Sequence, residues 1–423
     1  MDQAEKFGQM IVHAARSNPK KARKLLSMGC TINELISLMP TSKVSPCHRY
    51  GSRIVSHSLK QAIIHPDKSA MVSIFIPCEP LAAAGITPLS AEAFSGFSSG
   101  IHAEQFFLDK TREDGEPETL CSFHRVFHGA MSCGVLPPPK MLIYTNLACD
   151  ANMISFPYVT ERYQIPNFYI EVPYEHNKEA VKYVAAQLKE MVTFISDITG
   201  SKITEEALRV SVERGKRTSR DYLERLKYVG EHALKGPVES ELYAIYSGHI
   251  MMGTKRAELY NRKTLRDIKK AENNNAIRLL WLHMIPFLQP SICQNLGYST
   301  KARITAVDLV YDCMFDVEFE DPYEAMAYRM VHSVYNGNIN WRIERAIETA
   351  KKTNTEGIVV FAHWGCKTTL GASSLYTERF EKAGFPTLIL NGDGGDPTNC
   401  ADGQMATRLG AFLEMLEEKR TER

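Results

Sequence analysis

The sequence has few of the features that mark the simpler classes of protein. Its 10 cysteines among 423 residues are too sparse for a disulfide scaffold, and no two of them have Cys-x-x-Cys spacing. Lys and Arg total 50 against 49 Asp and Glu, so there is no excess charge to attract nucleic acid or an anionic membrane surface. Disulfide-rich secreted domains and polyanion-binding proteins are therefore excluded.

Long apolar runs are also missing. The most apolar segments, 71–76 and 277–288, are shorter than the roughly 18 apolar residues that span a bilayer. Glu, Lys, Gln and Arg interrupt the first 24 residues, which therefore lack the apolar core of a secretory signal. We expect a cytoplasmic protein with no membrane partner. Its reduced cysteines then serve as small apolar groups or as ligands for a soft metal.

What the sequence does contain is an alternation of strand-like and helix-like segments. Residues 1–66 predict a helical N-terminal arm, and over residues 67–174 short apolar runs such as MVSIFIP and KMLIYTN alternate with helical patterns. Residues 175–272 have no strand signal and predict a helical insertion. The alternation resumes over 273–423 with GIVVFAH and PTLILNGDG. This order is typical of α/β proteins and predicts two parallel-sheet domains.

Three cysteines are predicted at the starts of helices. Cys121 opens the helical pattern CSFHRVFHGAM, Cys149 follows the strand KMLIYTN, and Cys366 follows the strand GIVVFAH. Open α/β sheets bind ligands at the carboxyl ends of their strands, and a helix N-terminus lowers the pKa of a thiol. These thiols could meet only across a cleft between the two α/β units. Three thiolates on a [4Fe-4S] cube would leave one iron open to a substrate oxygen. From spacing alone, the simpler interpretation is three buried structural cysteines.

Five segments, in this order, resemble the 2-hydroxyacyl-CoA dehydratase family, which also contains the class I benzoyl-CoA reductases: PCEPLAAAGITP, CSFHRVFHG, TNLACDANM, HWGCK and GDGGDPTNCADGQMATRLGAFLEML. The resemblance covers about residues 67–423. It implies two flavodoxin-like domains that hold a [4Fe-4S] cluster through Cys121, Cys149 and Cys366. It also implies a homologous second subunit, usually in a heterodimer, and a separate ATP-hydrolysing iron–sulfur activator that injects one electron.

The reaction that the resemblance implies explains the need for a cluster. The β-hydrogen of a 2-hydroxyacyl-CoA thioester is barely acidic, so ordinary base-catalysed elimination of water fails. Reduction of the thioester carbonyl gives a ketyl radical anion that expels the hydroxyl group, and the β-proton of the resulting enoxy radical is acidic enough for a side chain to remove. The electron is then returned. The implied activity is a radical (R)-2-hydroxyacyl-CoA dehydratase, a carbon–oxygen lyase that forms 2-enoyl-CoA. The alternatives are a benzoyl-CoA reductase subunit and a non-catalytic partner subunit.

Other titratable residues are weaker candidates. Glu79 matches the Glu of the family's Pro-x-Glu segment. In the functional interpretation it positions the substrate hydroxyl group or moves a proton. In the structural interpretation it is only the carboxylate that starts a helix. His124 and Arg125, one turn after Cys121, are candidates for hydrogen bonds to a cluster sulfur or the thioester, against a structural role. His363, which opens the HWGCK segment, has the same two interpretations.

Some residues depart from the family pattern or have no role in it. Cys78 is not at a ligand position of the family, and as a fourth ligand it would close the open iron and favour electron relay. Asp393 and Asp396 of the GDGGDP loop are expected to shape that loop rather than to bind phosphate. We find no secure equivalent of the serine that some members use near substrate. The remaining cysteines with no matching role are interpreted as structural: Cys47, Cys133, Cys293, Cys313 and Cys400.

Overall fold

A computed structural model describes residues 3–287 and 289–422 of the chain. The first sheet contains β1 (Ser69–Val72), β2 (Thr87–Ser90), β3 (Met141–Thr145) and β4 (Asn167–Ile170), in the order β2-β1-β3-β4. The second contains β5 (Ile277–Leu282), β6 (Ala302–Val307), β7 (Gly357–His363) and β8 (Thr387–Gly392), in the order β6-β5-β7-β8. Every pairing between these strands is parallel. The predicted α/β fold with two parallel, flavodoxin-like sheets is confirmed.

The shared strand order places a topological switch point in each sheet. In the first sheet it lies between β1 and β3, and in the second between β5 and β7, because the chain leaves these neighbouring strands in opposite directions. The crevice outside the carboxyl ends of such a strand pair is the usual ligand site of this architecture. The loops that follow β1, β3, β5 and β7 are therefore the places to look for function.

Helices surround and connect the two sheets. Three precede β1, at α1 (Gln3–Ser17), α2 (Pro19–Ile36) and α3 (Pro46–Ile64). Five lie between strands of the first sheet, at α4 (Glu79–Ala83), α5 (Ala91–Gly100), α6 (Glu104–Glu113), α7 (Ser122–Ser132) and α8 (Asn152–Tyr163). Four follow β4, at α9 (Lys178–Thr199), α10 (Glu205–Arg225), α11 (Ser240–Gly248) and α12 (Lys255–Ile268). The rest accompany the second sheet, at α13 (Pro290–Leu296), α14 (Asp308–Tyr311), α15 (Pro322–Val331), α16 (Ile339–Lys352), α17 (Lys367–Leu370), α18 (Ser373–Lys382) and α19 (Asp402–Thr421). Among the described residues, none of these helices has both the length and the apolar character needed to cross a membrane.

One apolar segment differs from its sequence interpretation. The apolar run 71–76 is not all strand, because β1 ends at Val72 and the chain then turns, with the N–H of Ile76 donating to the carbonyl of Ser73. Ile76 still fills the core, but from a loop. The Gly/Ser-rich stretch 95–100 belongs to α5, whose first turn is capped by Ser90, the acceptor of the N–H of Ala93.

Alternate residues of the central strands face two hydrophobic cores. Met71 packs with the first helices, including Ile11 and Leu26, whereas its neighbours Ala70 and Val72 belong to a larger core. That larger core is continuous through both sheets and the helices α9–α12 that lie between them along the chain. The domain boundaries drawn from the sequence stay a prediction.

Candidate metal centre

The structure brings the three predicted cysteines together. Cys121 immediately precedes α7, Cys149 lies in the loop after β3, and Cys366 follows β7 and immediately precedes α17. Their thiols are close enough for Cys149 and Cys366 to act electrostatically on Cys121, and all three keep partial exposure. Thiols from three remote parts of the sequence therefore lie close together where the two α/β units meet.

Left-handed backbone conformations present two of these thiols. The residue before Cys149 is Ala148, with φ 66°, and the residue before Cys366 is Gly365, with φ 81°. A side chain at Gly365 would also lie only 3.3 Å from the Cα of Cys121, so the close approach of the two segments requires glycine. For Ala148 this conformation costs about 1–2 kcal/mol. Strain of this kind concentrates at functional sites, and here it occurs next to two candidate ligands.

Direct contacts hold the loops of Cys149 and Cys366 against each other. The Thr368 hydroxyl donates to the carbonyl oxygen of Ala148 at 2.8 Å, which joins the second α/β unit to the first. At the surface, Lys367 Nζ lies 2.9 Å from Asp150 Oδ2. The separation of these two thiols is thus set by contacts between the loops that carry them.

The GDGGDP loop shapes itself with its carboxylates, in agreement with the sequence interpretation. Asp393 Oδ1 accepts hydrogen bonds from the backbone N–H groups of Gly395 (2.9 Å) and Asp396 (3.0 Å). The same oxygen accepts from the Ser122 hydroxyl at 2.5 Å. Since Ser122 is the first residue of α7, this loop also holds the second unit against the helix that begins after Cys121.

Arg125 belongs to the same contact between the units. Its guanidinium pairs with Asp396 at 3.2 Å and its Nε donates to the carbonyl of Leu120 at 3.0 Å. Both charged side chains are almost fully buried. The structure therefore places Arg125 in a buried ion pair that fixes the start of α7.

A histidine ring nitrogen lies beside each of the three thiols. The nitrogen–sulfur distances are 3.3 Å for His363 Nε2 and Cys121, 3.6 Å for His124 Nε2 and Cys149, and 3.5 Å for His283 Nε2 and Cys366. His124 and His363 were candidates from the sequence, whereas His283 was missed. The signal for His283 was its place at the carboxyl end of β5, which corresponds to the place of His363 at the end of β7.

Burial, rather than the helix N-termini, controls the protonation of this site. The sequence predicted thiols of lowered pKa, but burial raises the pKa of Cys121 and of Cys149 above its ordinary value. Burial also lowers the pKa of His124 to about 3 and that of His283 well below its ordinary range. The prediction of readily ionised thiols is wrong for Cys121 and Cys149, because neutral histidines supply no positive charge to offset desolvation. A metal would have to displace the thiol protons as it binds.

The chemistry of the donors fits an iron–sulfur cluster. Three cysteine sulfurs that lie close together form the soft donor set that such clusters use. Two other cysteines have main-chain partners instead. The thiol of Cys78, fully buried in the larger core, donates to the carbonyl of Ile76 at 3.5 Å, and that of Cys293 donates to Phe287 at 3.1 Å.

Glu79 lies in a buried ion pair. Its carboxylate pairs with Arg329 of α15, and its carbonyl oxygen accepts from the Ser211 hydroxyl at 3.0 Å. Glu79 itself is fully buried at the start of α4. These contacts match the alternative in which Glu79 is a carboxylate that starts a helix, and they tie α4 to α10 and α15.

Glu92 is a carboxylate near the thiols that the sequence analysis missed. Burial raises the pKa of Cys149 and the negative charge of Glu92 raises it further, while burial also raises the pKa of Glu92 itself. Ser90 Oγ donates to Glu92 Oε2 at 2.6 Å, and the N–H of Ile74 points at Oε1 from 3.5 Å. The neighbouring Ser73, just after β1, has a buried hydroxyl without a hydrogen-bond partner among the described residues. A Ser-x-Glu sequence at the carboxyl end of a strand was the available signal.

A second group of potential ligands is explained by its own hydrogen bonds. His249, Asp312 and Cys313 have donor atoms within 4.8 Å of one another. His249 Nε2 faces two acceptors, Asp312 Oδ1 at 3.1 Å and the Leu309 carbonyl at 3.0 Å. This geometry gives the ring proton two acceptors and accounts for the cluster as a buried polar network.

Comparison with known proteins identifies the family to which the chain belongs. The family model described as 2-hydroxyglutaryl-CoA dehydratase, D-component, matches residues 73–416. The chain belongs to this family. The match includes strands β2 to β8 and all three cysteines, and it begins one residue after β1, so the sequence resemblance to 2-hydroxyacyl-CoA dehydratases is confirmed.

Members of the family with assigned activities are distant in sequence. The chain is 23% identical over 333 residues to the (R)-phenyllactyl-CoA dehydratase alpha subunit of Clostridium sporogenes, covering 72% of this chain and 79% of that protein. It is 20% identical over 353 residues to one subunit of the benzoyl-CoA reductase of Thauera aromatica, covering 73% and 79%. With the alpha subunit of the (R)-2-hydroxyglutaryl-CoA dehydratase of Acidaminococcus fermentans it shares 25% identity over 303 residues, covering 67% and 61%.

Proposed function

We propose that this protein is the iron–sulfur subunit of a radical (R)-2-hydroxyacyl-CoA dehydratase, with Cys121, Cys149 and Cys366 as the ligands of a [4Fe-4S] cluster. The observation that carries the proposal is the convergence of these three thiols where the loops after β3 and β7 meet the start of α7. When bound, the cluster would supply the single electron that radical dehydration requires and an iron that acts as a Lewis acid toward the substrate.

Glu92 is the proposed proton-transfer group. Dehydration moves one proton onto the leaving hydroxyl and removes one from the β-carbon, so a group that exchanges protons near neutral pH is needed. The buried environment of Glu92 raises its pKa in that direction, and its charge acts on the neighbouring Cys149. The Ser73 hydroxyl, which has no hydrogen-bond partner in the part of the chain that the structure describes, would be available to bind a substrate oxygen.

The proposed assembly contains more than this chain. The relatives are each named as one subunit of a larger enzyme, the dehydratases as alpha subunits, which supports a homologous second subunit. An ATP-hydrolysing iron–sulfur activator would deliver the electron. The proposed substrate is a CoA thioester of a 2-hydroxy acid, which would become 2-enoyl-CoA.

Metal analysis of cysteine variants tests the ligand assignment. The full chain is reconstituted anaerobically with iron and sulfide, and we expect about four irons per chain in the wild type, as a [4Fe-4S] cluster requires. Cys149→Ser should lose the brown chromophore and most of its iron, whereas the control Cys293→Ser should keep both, because Cys293 has a main-chain partner elsewhere. Equal behaviour of the two variants contradicts the assignment, and a folded wild type without iron favours a non-catalytic partner subunit.

Substrate assays separate the two enzyme activities of the family. The chain, its partner subunit and an activator are combined anaerobically with ATP, and 2-enoyl-CoA formation from 2-hydroxyacyl-CoA is compared with dienoyl-CoA formation from benzoyl-CoA. Enoyl-CoA formation supports the proposal. Dienoyl-CoA formation alone would assign the chain to the reductase branch.

A further inference from the structure

The three cysteine–histidine contacts form a repeated arrangement. In each pair the two residues come from different segments, so the pairing is a product of the tertiary structure rather than of sequence proximity. His363 of the second sheet reaches Cys121, while His124 of α7 reaches the loop after β3. His283, after β5, reaches Cys366. Every candidate ligand thus has its own ring nitrogen within 3.6 Å of the sulfur.

The hydrogen-bond direction is settled for one pair by its surroundings. The backbone N–H of Gly394 donates to His363 Nδ1 at 3.1 Å, so Nδ1 must be the unprotonated nitrogen. The ring proton is therefore on Nε2, which lies 3.3 Å from Cys121 Sγ. His363 donates its N–H to the sulfur. The same contact excludes His363 Nε2 as a metal ligand, because losing its proton to bind metal would place one on Nδ1, against the N–H of Gly394.

The backbone around His283 is arranged to present its ring. His283 has φ 73°, in the left-handed region that residues other than glycine rarely adopt. Its N–H is held by Asp308 Oδ1 at 2.6 Å, and Arg342 binds the other oxygen of that carboxylate at 2.8 Å. A buried ion pair therefore maintains a strained residue whose Nε2 faces the thiol of Cys366.

His124 has a different support. Its ring is 1% exposed and packs edge-on against Phe127, with ring centroids 5.6 Å apart. Its Nδ1 is buried and has no partner among the described residues, so the contact with Cys149 is the polar contact that Nε2 makes. A buried histidine with one free nitrogen is costly, and its contact with a thiol gives it a reason to be there.

We propose that His124, His283 and His363 donate hydrogen bonds to the three cluster thiolates and thereby raise the reduction potential of the cluster. The inference rests on the proposed function, since it needs a cluster on these cysteines. Each N–H directs the positive end of its dipole at a sulfur, and sulfur carries more negative charge when the cluster is reduced. The reduced state is therefore stabilised more than the oxidised state, without adding net charge to a buried site. These are positioning residues, which stabilise the reduced cluster after the electron has been delivered.

Redox titration of histidine variants tests this inference. In the reconstituted full chain, His363→Phe should keep its iron and shift the reduced-to-oxidised equilibrium about tenfold toward the oxidised cluster, which is about 59 mV for one electron. His363→Gln should recover most of the wild-type midpoint potential, because the glutamine amide can donate a hydrogen bond from the position of Nε2. His332→Phe is the control, since its ring bonds the carbonyl of Tyr328 at 3.2 Å, and it should leave the midpoint potential unchanged.

A measurement on the wild type keeps the inference open to refutation even if a variant loses its cluster. Exchangeable hydrogens close to the cluster should appear in electron–nuclear double resonance spectra and disappear in deuterated buffer. Their absence from an iron-replete wild type would overturn the inference, as would unchanged midpoint potentials in the Phe variants of all three histidines. Loss of iron in both the Phe and the Gln variant of His363 would overturn the assignment of Nε2 as a hydrogen-bond donor and show that the ring is a ligand. A wild type without iron would defeat the proposed function itself, which is a distinct result.

Discussion

The ion pair beneath the candidate site allows a quantitative prediction. Arg342 and Asp308 are fully buried, and Arg342 Nε lies 2.8 Å from Asp308 Oδ2. The guanidinium also donates to the Thr369 hydroxyl at 3.1 Å, on the short helix that follows Cys366. The free carboxylate oxygen holds the N–H of His283. One pair of charges therefore supports the loops of both Cys366 and His283.

Arg342→Met leaves the Asp308 carboxylate buried without its counter-charge. Removing one partner of a buried pair costs on the order of 3–5 kcal/mol, so we expect a loss of that size in the free energy of unfolding. Asp308→Asn should cost a similar amount because it leaves the guanidinium unpaired, while the amide oxygen can still accept from His283. The double variant Asp308→Asn/Arg342→Met should lose at least about 2 kcal/mol less than the sum of the two single variants, since neither charge remains.

Denaturant unfolding followed by tryptophan fluorescence measures these losses. All three tryptophans, Trp281, Trp341 and Trp364, lie in the part of the chain that forms the second sheet and its helices, so the signal reports on the region around the ion pair. Arg345→Met on the same helix is the matched control, because its pair with Glu348 is partly exposed and worth about 1 kcal/mol or less. If Arg342→Met were no more destabilising than Arg345→Met, or if the single losses were additive, the ion pair would not support the site as argued.

Two further predictions concern carboxylates of the first α/β unit. Glu92→Gln should reduce dehydration turnover by about 10²- to 10⁴-fold with the iron content unchanged. Glu79→Gln should mainly lower the free energy of unfolding, because it leaves Arg329 unpaired. The reverse pattern in assays of turnover and unfolding would identify Glu79 as the proton-transfer group. Burial raises the pKa of Glu104 from its ordinary 4.5 to about 7, so the folded state retains a proton that the unfolded chain releases, and stability is lost as pH rises through this interval. Relative to the wild type, Glu104→Gln should therefore become more stable as the pH rises from about 5 to about 8, by up to about 3 kcal/mol in the free energy of unfolding. If the difference between the variant and the wild type is the same at both pH values, Glu104 does not titrate in this way.

The sequence by itself determined the fold class and the location of the candidate ligands. Short apolar runs such as KMLIYTN and GIVVFAH can be satisfied only by strands buried on both faces, and this requirement produces parallel sheets covered by helices. Cysteines just beyond such strands must lie at the carboxyl edge of the sheet, because all strands of a parallel sheet point the same way. The positions of Cys149 and Cys366 follow from this rule without knowledge of any contact.

Only the tertiary structure decided which side chains contact the candidate site and how they are protonated. Glu79 and Glu92 are both carboxylates that follow strands of the first sheet, yet one faces Arg329 and the other acts on Cys149. The protonation of the thiols was wrongly anticipated for the same reason, since a helix start can be read from local sequence but desolvation depends on what packs around it. Local patterns report interactions between residues a few positions apart. Ion pairs, histidine–thiol contacts and burial join residues that are tens to hundreds of positions apart, and they exist only once the chain is folded.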